Sequence, residues 1–419
     1  MNKRVLSNSL WMMTEKIISI FGLVFVTSFV AKYVGPSIYG TIALAMSIFQ
    51  LVQMVSQLGT DVLIFKRLSR NTTSGNNLIN ATSLIRCLVY FILSVPVLIY
   101  YFISSDSSAN YYLFAAFIAC FFQAMDIYSI YYDATLNSKI NTFINMGGLV
   151  VSLLFRWFIA FLNLDPLMLC IPIVLAPLLP FLVRYIYYKK TTEIEHIPYR
   201  HKKKYIRYIL CAGLSFVIAS LSVAIYTRLS LLMLGYFNGV KDVGLYSVAA
   251  TLATSWSFIL NSLITSSLPT IFAAQDEKST IRKASKLNIV VILVSMPIIA
   301  GVYFLAQWFI VAFYGVEYLS SYTPLLILTL STLFGSLGTI SARLIAKYSG
   351  YVFLSKKMLI VAFFSFCINA ILIYYYGIIG AASANVLTQF FSLTLFNYPF
   401  KQGIVLKLHI NTLCYRKKN

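Results

Sequence analysis

Residues 32–40 read Lys32-Tyr33-Val34-Gly35-Pro36-Ser37-Ile38-Tyr39-Gly40, and the spacing of the two glycines returns later in the chain as Gly239 and Gly244. An alanine follows each pair at the same distance, Ala45 and Ala249. The shared offset is 204 residues in a chain of 419, close to half, and it points to two related halves. Proline fixes φ and glycine reaches backbone conformations closed to other residues, so Gly35-Pro36 in so short a connection predicts a tight turn between two apolar segments.

Working outward, the composition sets the solvent. With 59% hydrophobic residues, 11% charged residues and a mean hydropathy of +0.81, the chain has too little polar surface to cover a soluble globule. It is read as an integral membrane protein. Stretches of about twenty apolar residues, the length that carries a helix across a ~30 Å hydrocarbon core, fall near 10–34, 40–64, 78–102, 111–133, 140–162, 167–188, 208–235, 243–272, 287–314, 322–346, 357–376 and 378–399. Each run is continuously apolar rather than alternating, which selects helices over a barrel.

The net charge of +21 is distributed by topology. Loops on the side of the N-terminus carry Lys3, Arg4, Lys66, Arg67, Arg70, Lys139, the run from Lys189 to Arg207, Lys278 to Lys286, Lys347, Lys356, Lys357 and the terminal Arg416-Lys417-Lys418, whereas the opposite loops carry essentially Lys241. By the positive-inside rule both termini are cytoplasmic, and twelve spans satisfy that parity. Nucleic-acid binding has no support. No cleaved signal peptide is evident after Lys3-Arg4, because the apolar region continues too far. Five of six cysteines fall within spans and none forms a Cys-x-x-Cys pair, so they read as reduced packing residues.

The expected architecture is therefore all-α, with about twelve transmembrane helices in two six-helix lobes. Residues 1–188 form the N-terminal lobe, 189–207 a basic cytoplasmic linker, 208–399 the C-terminal lobe and 400–419 a cytoplasmic tail. An even number of spans per half makes the repeat parallel, and two-lobe construction in a membrane is characteristic of transporters.

Three stretches carry a resemblance to a known family: residues 33–40 (Tyr33-Val34-Gly35-Pro36-Ser37-Ile38-Tyr39-Gly40), residues 243–249 (Val243-Gly244-Leu245-Tyr246-Ser247-Val248-Ala249), and Asn369 followed by Tyr376-Gly377-Ile378-Ile379-Gly380-Ala381-Ala382. In these the chain resembles the polysaccharide transporter branch of the multidrug/oligosaccharidyl-lipid/polysaccharide exporter superfamily, above all the O-antigen flippases. The resemblance implies transport of undecaprenyl-diphosphate-linked oligosaccharide to the periplasmic leaflet of a bacterial inner membrane. It implies as partners membrane lipids, a polysaccharide polymerase and a chain-length regulator. Gly35, Pro36, Gly40, Gly239, Gly244, Gly377 and Gly380 are read as structural residues of turns and close helix contacts.

Function is sought in ionisable residues inside the spans, since a charge at a helix centre costs about 2.5–3.5 kcal/mol even on the gentlest insertion scale. Arg86 lies on one helical face with Ser83 and Tyr90. Arg156 ends a stripe of Asn141, Asn145, Gly148 and Ser152 whose spacing keeps one face, read as lining an aqueous, central cationic cavity. Arg228 follows Thr227 where relatives often carry an acid, which favours an anionic ligand. Guanidinium groups donate paired hydrogen bonds to phosphate oxygens, so Arg86, Arg156 and Arg228 are candidates for a diphosphate, with Asn145, Ser152 and Tyr90 for sugars. Lys16 divides evenly between binding and snorkelling. Arg184 and Arg343, near cytoplasmic span ends, read as snorkelling.

The acids Glu15, Asp61, Asp126 and Asp133 are candidates for coupling to a proton or sodium ion, because desolvation raises a carboxylate pKa. The competing reading gives them structural work, such as Asp126 paired with Arg86. Two other functions stay open. A multidrug/cation antiporter requires a cavity dominated by carboxylates, and a membrane-embedded glycan polymerase or acyltransferase requires a sizeable outer loop or an active-site histidine. His196, His201 and His409 all fall in expected cytoplasmic segments, and no metal-ligand, nucleophile-triad or nucleotide-loop pattern occurs. The chain reads as a non-enzyme without cofactor or metal.

Overall fold

A computed structural model describes residues 3–104, 107–135, 137–192 and 227–414, with the side chains of most residues before Val24 left out of that description. Every regular element among the described residues is helical. The chain divides into two compact units, Met1–Ala224 and Ile225–Asn419. The expected linker lies almost wholly in residues outside the description, as does most of the seventh expected span, 208–235.

The N-terminal unit runs through α1 (Lys3–Ser56), α2 (Thr60–Leu68), α3 (Thr72–Ser104), α4 (Ser107–Met125), α5 (Tyr128–Ala134), α6 (Ser138–Phe161) and α7 (Cys170–Thr191). α1 packs against α3, α4 and α6, and α7 closes the unit against α4 and α6. The C-terminal unit contains α8 (227–237), α9 (Val240–Ser255), α10 (Ser257–Phe272), α11 (Glu277–Phe309), α12 (Tyr322–Lys347), α13 (Tyr351–Leu393) and α14 (Ile404–Leu413). α12 is its centre, in contact with α9, α10, α11 and α13. Nine helical segments among the described residues are long and apolar enough to cross a membrane.

Two of those segments hold a kink at a place where the spacing of apolar runs anticipates a break between two spans. α1 contains the end of the first expected span and the start of the second, divided at Gly35, where φ is 74° and ψ 169°. Such a conformation is open to glycine and almost closed to residues with a Cβ. α13 is divided in the same way at Gly377, with φ 52° and ψ −126°. Gly239 and Gly315 adopt backbone angles close to those of Gly35 and start helical segments directly. Only the first glycine of each opening pair therefore turns the chain. Gly40 and Gly244 are buried inside α1 and α9. Gly380 is likewise helical, and a Cβ there would run into the Leu372 carbonyl, so its role is close approach.

The tail expected over 400–419 contains a docked element. Ile404, Val405 and Leu408 of α14 are buried with Leu287 and Val291 of α11 and Leu344 of α12 in one apolar cluster. Ser285 donates to the Leu408 carbonyl at 3.3 Å and Asn288 to Thr412 Oγ1 at 3.2 Å, tying α14 along α11. The sequence shows only a short apolar run there, and its burial depends on a face that α11 supplies.

Candidate functional site

The N-terminal unit contains a partly open cavity of about 340 Å³ lined by residues of α1 to α7 and the breaks between them. Local backbone breaks bring its polar groups together. α1 ends at Ser56, and Leu58 and Gly59 follow with φ of 52° and 59°, a left-handed corner that restarts the chain as α2 with Asp61 in the first turn. A carboxylate is favoured there by the positive end of the helix dipole. α4 breaks after Met125, which leaves Asp126 between α4 and α5. Across the cavity, Gly148 of α6 packs on Pro180 of α7 so closely that an added Cβ would meet the proline ring at 2.5 Å. That approach brings Asn145, one turn before Gly148, to Arg184, one turn after Pro180.

Two charge pairs result. Arg86, 1% exposed, is bonded by Nη2 to Asp61 and Thr60, by Nε to Thr60 Oγ1 at 3.0 Å and by Nη1 to the Ala124 carbonyl at 3.1 Å. Arg184, with a side chain 3% exposed, donates to Asp126 Oδ2 and Asn145 Oδ1. The expected pairing of Asp126 with Arg86 is thus replaced by a crossed arrangement, Asp126 with Arg184 and Asp61 with Arg86. Snorkelling does not describe Arg184, because its guanidinium is buried and held by an acid and an amide of two other elements. Asp61, Arg86 and Asp126 line the cavity, and each is ion-paired, Asp126 with an arginine that is not itself a lining residue.

Other candidates are placed as follows. Tyr90 donates to the Phe117 carbonyl at 2.7 Å, and Ser152 to the Pro172 carbonyl at 2.9 Å, both joining helices. Asn141 donates to Asp133 at 2.9 Å and to the Ser129 carbonyl at 2.7 Å, and Ser138 donates to Asp133 at 2.7 Å. The stripe on α6 therefore faces α5 and α7, since Asn141, Gly148 and Ser152 are all buried; only Asn145 reaches the cavity. Arg156 is half-buried beside Tyr39 of α1, and no carboxylate pairs with it among the described residues. Lys16 and Glu15 lie in α1, but their side chains are outside the described residues.

In the C-terminal unit Arg228 is half-buried on α8, two residues before Ser230. Ser230 donates to Asn369 Oδ1 at 2.8 Å, and Asn369 donates to the Ser365 carbonyl at 2.8 Å. Asn369, quoted for the family resemblance, thereby fastens α8 to α13. Two lysines assigned to loops prove otherwise. Lys347 caps the end of α10, donating to the Ile271 and Ala274 carbonyls at 2.8 and 2.7 Å, and Lys357 is 4% exposed on α13.

Sequence reasoning missed Gln53 of α1 and Gln57 in the turn that follows it, which line the cavity with Gln123 of α4. Two amides one turn apart inside an apolar run were the available signal. Their side chains, with that of Gln123, make no hydrogen bond among the described residues, although all three are partly buried. No group of metal-ligating side chains occurs among the described residues.

These observations define a polytopic helical membrane protein of two units, with a polar cavity in the first. The chain belongs to the polysaccharide biosynthesis protein family, which matches residues 29–323. Its fold is that of transporters of the MOP superfamily. An inward-facing multidrug resistance MATE transporter of that superfamily superposes with a TM-score of 0.73 at 12% identity, over 97% of this chain and all of that one. The lipid II flippase MurJ, in an inward closed conformation, superposes with 0.71 at 16% identity, over 98% of this chain and 91% of that one. A superfamily transporter from Pyrococcus furiosus, described as having a binding pocket of reversed polarity, gives 0.59 at 12% identity, over 96% of each chain. No curated protein matches by sequence.

Proposed function

We propose that the protein is a flippase that moves an undecaprenyl-diphosphate-linked oligosaccharide, a repeat unit of O-antigen or similar surface polysaccharide, from the cytoplasmic to the periplasmic leaflet of a bacterial inner membrane. The observation that carries the reading is membership of a polysaccharide biosynthesis family on a fold shared with a lipid II flippase. Transport proceeds by alternating access driven by an ion gradient, with no covalent chemistry. Both termini are cytoplasmic, from the basic loops. Membrane lipids, a polysaccharide polymerase and a chain-length regulator are its partners.

In this reading Arg156 and Arg228 bind the diphosphate, since a guanidinium keeps its charge when dehydrated and grips phosphate with paired donors. Arg86 joins them only if its bonds to Asp61 and Thr60 open. The antiporter reading needs carboxylates free for a cation, and Asp61 and Asp126 are each held by an arginine. Of the acids, Asp133 already accepts two hydrogen bonds, whereas Asp126 Oδ1 has no partner among the described residues, so Asp126 is the stronger coupling candidate once its pair with Arg184 opens.

Reconstitution into proteoliposomes tests the proposal. A fluorescent polyprenyl-diphosphate oligosaccharide becomes accessible to an impermeant periodate reagent on the opposite leaflet when the protein is present. Movement of small cationic drugs alone, with the lipid-linked sugar static, refutes it in favour of the antiporter.

A further inference from the structure

We infer that the cavity of the N-terminal unit is a subsite for one neutral pyranose ring of the cargo. The inference deepens the flippase reading and rests on it for the source of the sugar. Three features of the cavity select this ligand class. Its lining charges, Asp61, Arg86 and Asp126, are all paired: Arg86 is bonded to Asp61, and Asp126 to Arg184, which is not a lining residue. An anion entering must compete with two lining carboxylates, and a cation with the guanidinium group that each carboxylate already holds, so neither gains the net attraction that would repay its desolvation.

What the cavity offers instead is unspent amide capacity. Gln53, Gln57 and Gln123 face it with no hydrogen bond to the described residues. Each amide presents an acceptor beside two donors, the set that matches neighbouring sugar hydroxyls, which both donate and accept. The three amides are partly buried and open to the cleft, so an occupant can take up hydrogen-bonding capacity that the described residues leave unused.

The remaining wall is apolar, formed by Ile130, Ala176, Pro177 and Pro180. A pyranose is itself two-sided, with hydroxyls at its rim and C–H groups on its faces. Amides on α1 and α4 opposite proline rings on α7 provide for both. The volume of about 340 Å³ lies at the small end of the ~300–1,000 Å³ range of small-molecule pockets, the size class of a single ring.

The test uses the purified full-length protein in phosphatidylethanolamine/phosphatidylglycerol nanodiscs and saturation-transfer difference NMR. The probes are glucose, galactose and N-acetylglucosamine, with glucuronate and glucosamine as charged counterparts. Neutral sugars are expected to bind with dissociation constants on the order of millimolar. Loss of each amide weakens them by about three- to tenfold, and the charged sugars bind more weakly than any neutral one.

Gln57→Met, in the turn after α1, and Gln123→Met, on α4, remove hydrogen bonding while keeping side-chain length. Because neither amide is bonded to the described residues, their thermal midpoints should match wild type. Binding that is unchanged in the double variant, tighter binding of a charged sugar, or no binding by any neutral probe overturns the subsite. Flipping of the lipid-linked substrate without monosaccharide binding discards the subsite alone, whereas binding without flipping discards the flippase reading alone.

Discussion

Asp126→Ala and Asp61→Ala remove the carboxylate from the two ion pairs of the N-terminal unit, and the structure sets different costs for them. Arg184 and Asp126 are 3% and 15% exposed, and after truncation Arg184 keeps Asn145 as its described partner. Breaking a buried pair from one side costs about 3–5 kcal/mol, because the remaining charge stays desolvated. Asp61 is 46% exposed, and Arg86 retains Thr60 and the Ala124 carbonyl when it is lost. That change falls nearer an exposed pair, about 1–2 kcal/mol after allowing for solvent screening and a charged hydrogen bond. For a unit of this size the deeper loss corresponds to a midpoint lowered on the order of 10 °C, and the shallower one to a few degrees.

The assay is thermal unfolding of each purified variant in one detergent at one heating rate, since membrane proteins seldom unfold reversibly. The double variant Asp126→Ala/Arg184→Leu should recover much of the loss, because it removes the stranded charge along with its partner. Equal midpoints for the two single variants, or a double variant no better than Asp126→Ala, would refute the crossed pairing and the burial argument behind it.

Gly35→Ala and Gly377→Ala should each destabilise by about 1–3 kcal/mol through their positive φ, whereas Gly301→Ala, with open space around it, should be neutral or stabilising in the same melts. Arg156→Ala and Arg228→Ala should abolish export while the protein remains inserted, with the lysine variants partly active; normal export by both alanine variants in a surface-polysaccharide assay removes the cationic-site proposal. His409 lies 3.2 Å from the Tyr398 hydroxyl, and burial holds its pKa below the ordinary 6.5. The unfolded chain therefore takes the proton first as pH falls through 6.5, so stability drops below that pH. Hydrogen exchange in α14 should rise on acidification, and His409→Phe should flatten that response.

The sequence alone determined the solvent, the helical class and the two backbone breaks at Gly35 and Gly377. Those properties are carried by runs of twenty residues or by glycine and proline, and they are readable from the chain because lipid forces each helix to satisfy its own backbone. Family membership was legible in the same turn residues. The tertiary structure decided which charge meets which. Arg184 reaches Asp126 across 58 residues because α7 packs on α4, and it reaches Asn145 because Gly148 lets α6 close on Pro180. Helical spacing places side chains on a face, but not opposite a particular neighbour, so the stripe ending at Arg156 could be read and its direction toward α5 and α7 could not. The unspent glutamines follow the same rule. In the sequence they are three polar residues in apolar runs, and only the packing of α1, the turn after it and α4 around a shared space gives them one cavity and leaves their amides without a partner among the described residues.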